Sequence, residues 1–242
     1  MTDEELIKKY VPLNNQKEAL EKLRTGYPVQ YIIGNVEFYH SIIDVNENVL
    51  IPRFETEYLV DKTIKYLSKL GNAKKEILEI GTGSGCISIS LKKFLNANIT
   101  AIDISEEAIL VAKNNAKKNQ VDITFLIEDV CNINLRNKYD LVISNPPYVP
   151  FNQKVDEKTK YEPQNAIFAS DNGLYFYRVI IEKIKENLND NYLIAFEIGD
   201  NQGEKIKSIA LELIPGSSVK LEKDYNNFER YVFISNIKEI FE

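Results

Sequence analysis

The sequence predicts an α/β protein: a doubly wound sheet of seven mostly parallel strands, with an antiparallel strand at its C-terminal end and a short helical and hairpin region before it. Three observations carry this. Between residues 76 and 198, short apolar runs of strand composition alternate with stretches of helical spacing, the pattern of a parallel sheet covered by helices on both faces. The last two strand-like runs, VKLEKD (219–224) and RYVFIS (230–235), are joined only by YNNFE. So short a link holds no crossover helix, so the two must pair antiparallel. The chain has 242 residues, 44% hydrophobic and 27% charged, enough for one large globular domain and a small appendage.

Residues 1–25 read as helix, with Asn15 as a cap and Gly26 as the stop. Over 28–50, the pieces Tyr31-Ile32-Ile33, Val36-Glu37-Phe38-Tyr39 and Ile42-Ile43 are rich in strand formers and broken by Gly34 and Asn35, which predicts a small hairpin. These elements make an N-terminal region over 1–50; the main domain spans 51–242. Pro52 opens a segment that becomes helical through Glu57-Tyr58-Leu59-Val60 and ends near Gly71. The alternation then runs through strand ILEI (77–80), helix CISISLKKFL (86–95), strand ITAIDI (99–104) and a helix from Ser105 to Lys118. Strands ITFLIED (123–129) and YDLVIS (139–144), a helix over 172–188 and strand YLIAFEI (192–198) complete it. Loop 148–170 is longer than compact domains usually carry, the mark of a lid or binding element.

Composition narrows the function classes. The net charge of −6 sets the chain against duplex-DNA and structured-RNA enzymes, whose affinity rests on a basic face; no direct nucleic-acid substrate is expected. Cys86 and Cys131 stand far apart, outside any CxxC pair, which suits a reducing compartment and gives no zinc site. His40 is the sole histidine, so histidine-based acid–base or metal chemistry has nothing to work with. The opening MTDEELIKKYV lacks the layout of a signal peptide, and no apolar run reaches the roughly 18 residues of a membrane span. A cytoplasmic monomer without membrane association is expected.

The segment Glu79-Ile80-Gly81-Thr82-Gly83-Ser84-Gly85 lies where a strand ends and a helix begins. Glycines there let the backbone turn sharply and approach a ligand. The spacing is GxGxG, whereas the dinucleotide fingerprint is GxGxxG. A pyrophosphate needs the helix N-terminus; S-adenosylmethionine carries none. About 20 residues on, Asp103 ends the second strand, where a carboxylate can accept both ribose hydroxyls. Asp129 ends the third, where one can accept the adenine amino group, although a capping or turn role fits it nearly as well.

Asn145-Pro146-Pro147-Tyr148 follows the fourth strand. An amide or aromatic amine nitrogen is a poor nucleophile because its lone pair is delocalised. To attack a methyl group it must be held in line. Two acceptors aimed at its two N–H groups do this and stabilise the positive charge growing on nitrogen. The Asn145 side-chain carbonyl and the Pro146 main-chain carbonyl are suited to the task. The prolines stiffen the backbone that carries them, and Tyr148 can lie against a flat acceptor. No strong base is required. This chemistry would serve a protein amide, or equally adenine N6 or guanine N2 of a nucleic acid.

With these motifs in order, the sequence from about residue 28 onward resembles the release-factor glutamine N5-methyltransferases, which are Rossmann-like enzymes. PVQYIIGNVEFY (28–39), LIPRFETEYLV (50–60), EIGTGSG, AIDIS, SNPPYVP, EPQNAIFASDNGL (162–174), FEIGDNQG (196–203) and KDYNNFERYV (223–232) match that family's blocks. The resemblance implies transfer of a methyl group from S-adenosylmethionine to the glutamine of the Gly-Gly-Gln motif in class I peptide-chain release factors. It implies Gly81, Thr82, Gly83, Ser84, Gly85, Asp103, Ile104, Asp129 and Val130 as the cofactor's surroundings, with Asn145 near its methionine end. Val130 stands where an aromatic often packs on adenine. Asn145, Pro146, Pro147 and Tyr148 would hold the glutamine amide, with Arg53 and Thr56 beside the same pocket. Only about 27 residues precede the PVQYIIG block, where the family usually has several helices.

Overall fold

In the computed structural model, which describes residues 1–71 and 73–242, the N-terminal region holds three short helices and a hairpin. Helix α1 (Asp3–Tyr10) starts at a reciprocal cap: the Thr2 hydroxyl accepts from Glu5 N while the Glu5 carboxylate accepts from Thr2 N, satisfying two otherwise orphaned amides. The chain breaks at Val11-Pro12 before α2 (Gln16–Arg24), so the helix expected over 1–25 is two. Pro12 cannot continue α1, and Asn15 caps nothing with its side chain. Tyr31-Ile32-Ile33, expected as strand, belongs to α3 (Val29–Ile33). A short apolar run does not declare its period. Here Pro28 opens it and Gly34, left-handed at φ 86°, closes it as a helix. The hairpin is β1 (Asn35–Phe38) with β2 (Ser41–Asp44).

After α4 (Phe54–Ser68) the expected alternation follows: β3 (Lys75–Ile80), α5 (Cys86–Phe94), β4 (Ala97–Asp103), α6 (Glu106–Lys118), β5 (Thr124–Ile127) and β6 (Tyr139–Ser144). The long loop carries two-residue strands β7 (Val149–Pro150) and β8 (Phe168–Ala169), paired in parallel. Helix α7 (Tyr175–Ile184) is shorter than the helix expected over 172–188, because 3₁₀ turns flank it. Then come β9 (Leu188–Glu197), α8 (Gly203–Leu213), β10 (Ser218–Lys223) and β11 (Glu229–Ser235).

Seven strands form one sheet in the order β10-β11-β9-β6-β3-β4-β5. All neighbours are parallel except the two pairs made by β11, which is antiparallel to both β9 and β10. Alternate residues of each strand face opposite layers. Ile77, Ile99, Leu141, Leu193 and Phe233 enter one core, beneath α4, α5 and α6. Leu78, Ile102, Val142, Ile194 and Ile234 enter the other, beneath α7 and α8. Burial on both faces explains the near-continuous apolar runs read as strands. Phe38 and Ile43 of the hairpin belong to the first core, whereas Ile7, Ala19 and Val29 form a small cluster of their own. Among the described residues no helix is long and apolar enough to cross a membrane.

Candidate active site

Strands leave β3 in both directions. The chain runs outward through β4 and β5, then returns to place β6 on the other side of β3. Loops after β3 and β6 therefore diverge and leave a crevice beyond the strands' carboxyl ends. A cavity of ≈ 510 Å³ lies there, a size usual for small-molecule sites. Gly81, Thr82, Gly83, Ser84, Asp103, Ile104, Asp129, Val130, Asn145, Pro146, Pro147, Arg53 and Thr56 all line it. Tyr148 and Gly85 are not among its lining residues.

The glycine loop is held from below. Gly81 N and Thr82 N both donate to Ile102 O, at 2.9 and 3.0 Å, and the buried Glu79 carboxylate accepts from the Thr82 hydroxyl (2.8 Å), Ser88 N (3.1 Å) and the Ser88 hydroxyl. Burial pushes the Glu79 carboxyl up to about 7 despite these donors. Gly81 and Gly83 have φ of 72° and 53°, and a methyl added to either meets nothing within 4 Å, so the glycines keep cavity space open. Gly85 differs: a methyl there would stand 3.1 Å from Ala112 Cβ, so it serves the packing of α5 on α6. Asn115, wholly buried, ties the loop to the hairpin by donating to Ser84 O and Asp44 O (2.9 Å each) while accepting from Asp44 N (2.8 Å).

Asp103 accepts from Gly83 N at 2.8 Å and Ser105 N at 3.0 Å, one bond to each oxygen, so two of its roughly four acceptor positions remain. Burial raises its carboxyl above the usual aspartate value. Asp129 accepts from Cys131 N (2.9 Å) and the Asn132 side chain (2.8 Å), the turn arrangement read beside its functional role. Ile104, 60% exposed, and Val130, 8% exposed, supply apolar wall on the same side.

Across the cavity, the Asn145 Nδ2 group donates to the Thr56 hydroxyl at 3.2 Å, and its Oδ1 has no protein partner among the described residues. Thr56, in the first turn of α4, in turn donates to Glu197 Oε2 at 2.6 Å. Glu197 ends β9, is 1% exposed, and receives the Tyr148 hydroxyl on its other oxygen at 3.4 Å. The backbone of this segment is clamped. Gln202 Nε2 donates to Tyr148 O (2.9 Å) and Asn172 O (3.3 Å), while Gln202 Oε1 accepts from Gly199 N (2.9 Å). Gly173 permits the clamp: at φ 83°, a methyl on it would lie 2.0 Å from Tyr148 O and 2.5 Å from Gln202 Nε2.

Arg53 closes the remaining wall. Its Nη2 reaches both oxygens of Glu162 at 2.7 and 2.8 Å, and Ile51 N donates to the same carboxylate at 3.2 Å. The segment before α4 is thereby pinned to the long loop.

The Methyltransferase small domain model matches residues 38–170. Two curated relatives, the release factor glutamine methyltransferases of Flavobacterium psychrophilum and Staphylococcus aureus, are each 40% identical to this chain. The first alignment covers 93% of this chain and 81% of the relative, the second 88% and 78%. The chain belongs to the release factor glutamine methyltransferase family. It is a methyltransferase. Its fold is also that of a methyltransferase crystal structure from Pyrococcus furiosus, with a TM-score of 0.59, 20% identity, and coverage of 80% of this chain and 88% of the other.

Some residues that shape the site were not singled out by motif chemistry. Glu162, Gly173, Glu197 and Gln202 sit inside blocks recognisable as this family's, but a linear reading gives none of them a partner. The partners lie up to 141 residues away in sequence. Asn115 had a weaker signal: asparagine is a poor residue for a helix interior, and here it occupies the buried face of α6.

Proposed function

We propose that this chain transfers the methyl group of S-adenosylmethionine to the side-chain nitrogen, N5, of the glutamine in the Gly-Gly-Gln motif of class I peptide-chain release factors, acting as a monomer and without a nucleic-acid substrate. The observation that carries the reading is the amide of Asn145. Its NH₂ is bound to Thr56 and, among the described residues, its oxygen has no protein partner, in the cavity that the glycine loop also lines.

The residues present fit the cofactor. Open space above Gly81 and Gly83 suits its amino-acid end, Asp103 has acceptor positions for ribose hydroxyls, and Asp129, Ile104 and Val130 offer a polar edge and apolar faces for adenine. When bound, S-adenosylmethionine supplies a sulfonium-linked methyl group, whose bonding pair returns to sulfur. Asn145 Oδ1 and Pro146 O accept from the two N–H groups of the glutamine and hold the nitrogen in line. They also stabilise the charge that develops there. The nitrogen becomes acidic as it gains the methyl group and releases one proton to water. Tyr148 cannot serve as the base: burial holds its hydroxyl protonated, far above the usual phenol range.

The test presents radiolabelled S-adenosylmethionine with a purified release factor, the same factor carrying Gln→Ala in its Gly-Gly-Gln motif, and total RNA. Label is expected in the unaltered factor alone. Label that persists in the Gln→Ala factor, or enters RNA instead, defeats the assignment. Asn145→Ala should lower kcat roughly 10²- to 10³-fold, the usual loss for one oriented polar contact to a developing charge, with cofactor affinity within several-fold by calorimetry.

A further inference from the structure

An amide side chain has two faces of opposite chemistry, and an acceptor's NH₂ docks only if Asn145 presents its oxygen. Its neighbours settle which face turns inward. The geometry points to Thr56 and Glu197 as positioning residues that hold the Asn145 amide in its productive orientation. The inference rests on the reading that Asn145 receives a planar NH₂ group, and goes beyond it in naming what enforces the orientation.

An ionised Glu197 carboxylate only accepts. The Thr56 hydroxyl, 2.6 Å away, must therefore spend its single proton on Glu197. It is left able only to accept, and among the described residues the one donor bonded to it is the Asn145 amide at 3.2 Å. The amide must then turn its NH₂ toward Thr56 and its oxygen toward the cavity. A protonated Glu197 removes the constraint. It can donate to Thr56, the Thr56 proton becomes free to bond Asn145 Oδ1, and the flipped amide sets its own NH₂ against the incoming one.

Burial makes this proton count matter near neutrality. Desolvation pushes the Glu197 carboxyl up to about 7, with Thr56, Arg230 and Tyr148 opposing and Glu55 reinforcing the rise. Tyr177 on α7 donates to the Glu197 main-chain oxygen at 2.8 Å and stays neutral, as do Tyr231 on β11 and Cys86 on α5, whose burial raises each well above neutrality. Arg230, whose charge opposes the rise, is committed elsewhere: it donates to Asp224 Oδ2 at 3.3 Å and Ile198 O at 3.1 Å. Among the described residues no cation contacts Glu197 directly.

The experiment measures kcat, KM and cofactor affinity for wild type, Thr56→Val, Thr56→Ser and Glu197→Gln, with the release factor as acceptor and pH varied from 5.5 to about 9, a span bracketing the Glu197 value. Thr56→Val, which keeps shape and loses the hydroxyl, should lower kcat about tenfold or more with unchanged cofactor affinity. Thr56→Ser should restore most of it. Wild-type kcat should fall on the acid side near pH 7, and that limb should vanish in Glu197→Gln, whose amide oxygen still accepts from Thr56 without titrating. An acid limb that persists in Glu197→Gln, or a Thr56→Val enzyme altered only in KM, overturns the inference. The variant-to-wild-type ratio separates this from the substrate assignment. Should the wild type methylate RNA rather than the factor, adenine NH₂ becomes the acceptor and the same ratio still reads the amide's orientation.

Discussion

Gly173→Ala tests how tightly the acceptor-holding segment is set. At φ 83° an alanine incurs the left-handed backbone cost, roughly 1–2 kcal/mol. Its Cβ would start 2.0 Å from the Tyr148 carbonyl oxygen. Real contacts stop near 3.0 Å, so the oxygen or residue 173 must retreat by 3.0 − 2.0, about 1 Å. The 2.9 Å bond from Gln202 to that oxygen does not survive such a retreat. Its loss adds about 1 kcal/mol, more if the amide is left buried without a partner. Gly34 supplies the control. Its φ is 86°, yet an added methyl meets nothing within 4 Å, so Gly34→Ala carries the backbone cost alone. Urea denaturation should place Gly173→Ala at least about 1 kcal/mol below Gly34→Ala. Catalysis should separate them further, because Tyr148 is two residues from the Pro146 carbonyl and a 1 Å misplacement costs about 10² in rate. If the two variants agree in stability within about 0.5 kcal/mol and Gly173→Ala keeps kcat within about threefold of wild type, the clamp does not set the acceptor geometry.

Asp103→Ala should raise the cofactor dissociation constant roughly 10- to 150-fold, the worth of one bond to a charged group, with little change in kcat at saturation; calorimetry showing an unchanged constant would remove Asp103 from the cofactor's surroundings. Stability should also depend on pH in an unusual direction. Glu79 and Glu197 are pushed from 4.5 to about 7 by burial, so the folded state holds their protons more tightly than the unfolded chain. Their contribution is complete below about 4.5 and disappears as pH rises through 7, on the order of 3 kcal/mol each at about 1.4 kcal/mol per pH unit. Urea midpoints should fall across that window and fall less in Glu197→Gln; a flat profile for the wild type would show that neither carboxyl is perturbed.

The sheet and the motifs at its edge were legible because their signals are local. A strand buried on both faces writes a continuous apolar run, GxGxG marks a turn that needs positive φ, and YNNFE is too short to be anything but a tight connection. The elements that misled were also local, but short. VQYII has strand composition, yet Pro28 and Gly34 bracket it as one and a half turns of helix. The break at Val11-Pro12 is legible at Pro12, which cannot continue a helix, and the single helix expected over 1–25 passed over it. What the linear reading could not provide was pairing. Arg53 lines the cavity, but its Nη2 is also held by Glu162, 109 residues away, a partner no linear reading supplies. Thr56, Asn145 and Glu197 come from α4, the end of β6 and the end of β9, and only the sheet order brings them together.

The tie between Arg53 and Glu162, with Ile51 N on the same carboxylate and Gln202 on the Tyr148 carbonyl, fastens the long loop at its start and again at Glu162. The walls of the site are thereby tied to one another through side-chain contacts. For the polypeptide acceptor proposed above, an extended side chain would enter a recess already shaped for it, and most of the ordering entropy would fall on the visitor. Association should accordingly favour segments that project a stiff, glycine-flanked tip over ones that lie flat against the surface.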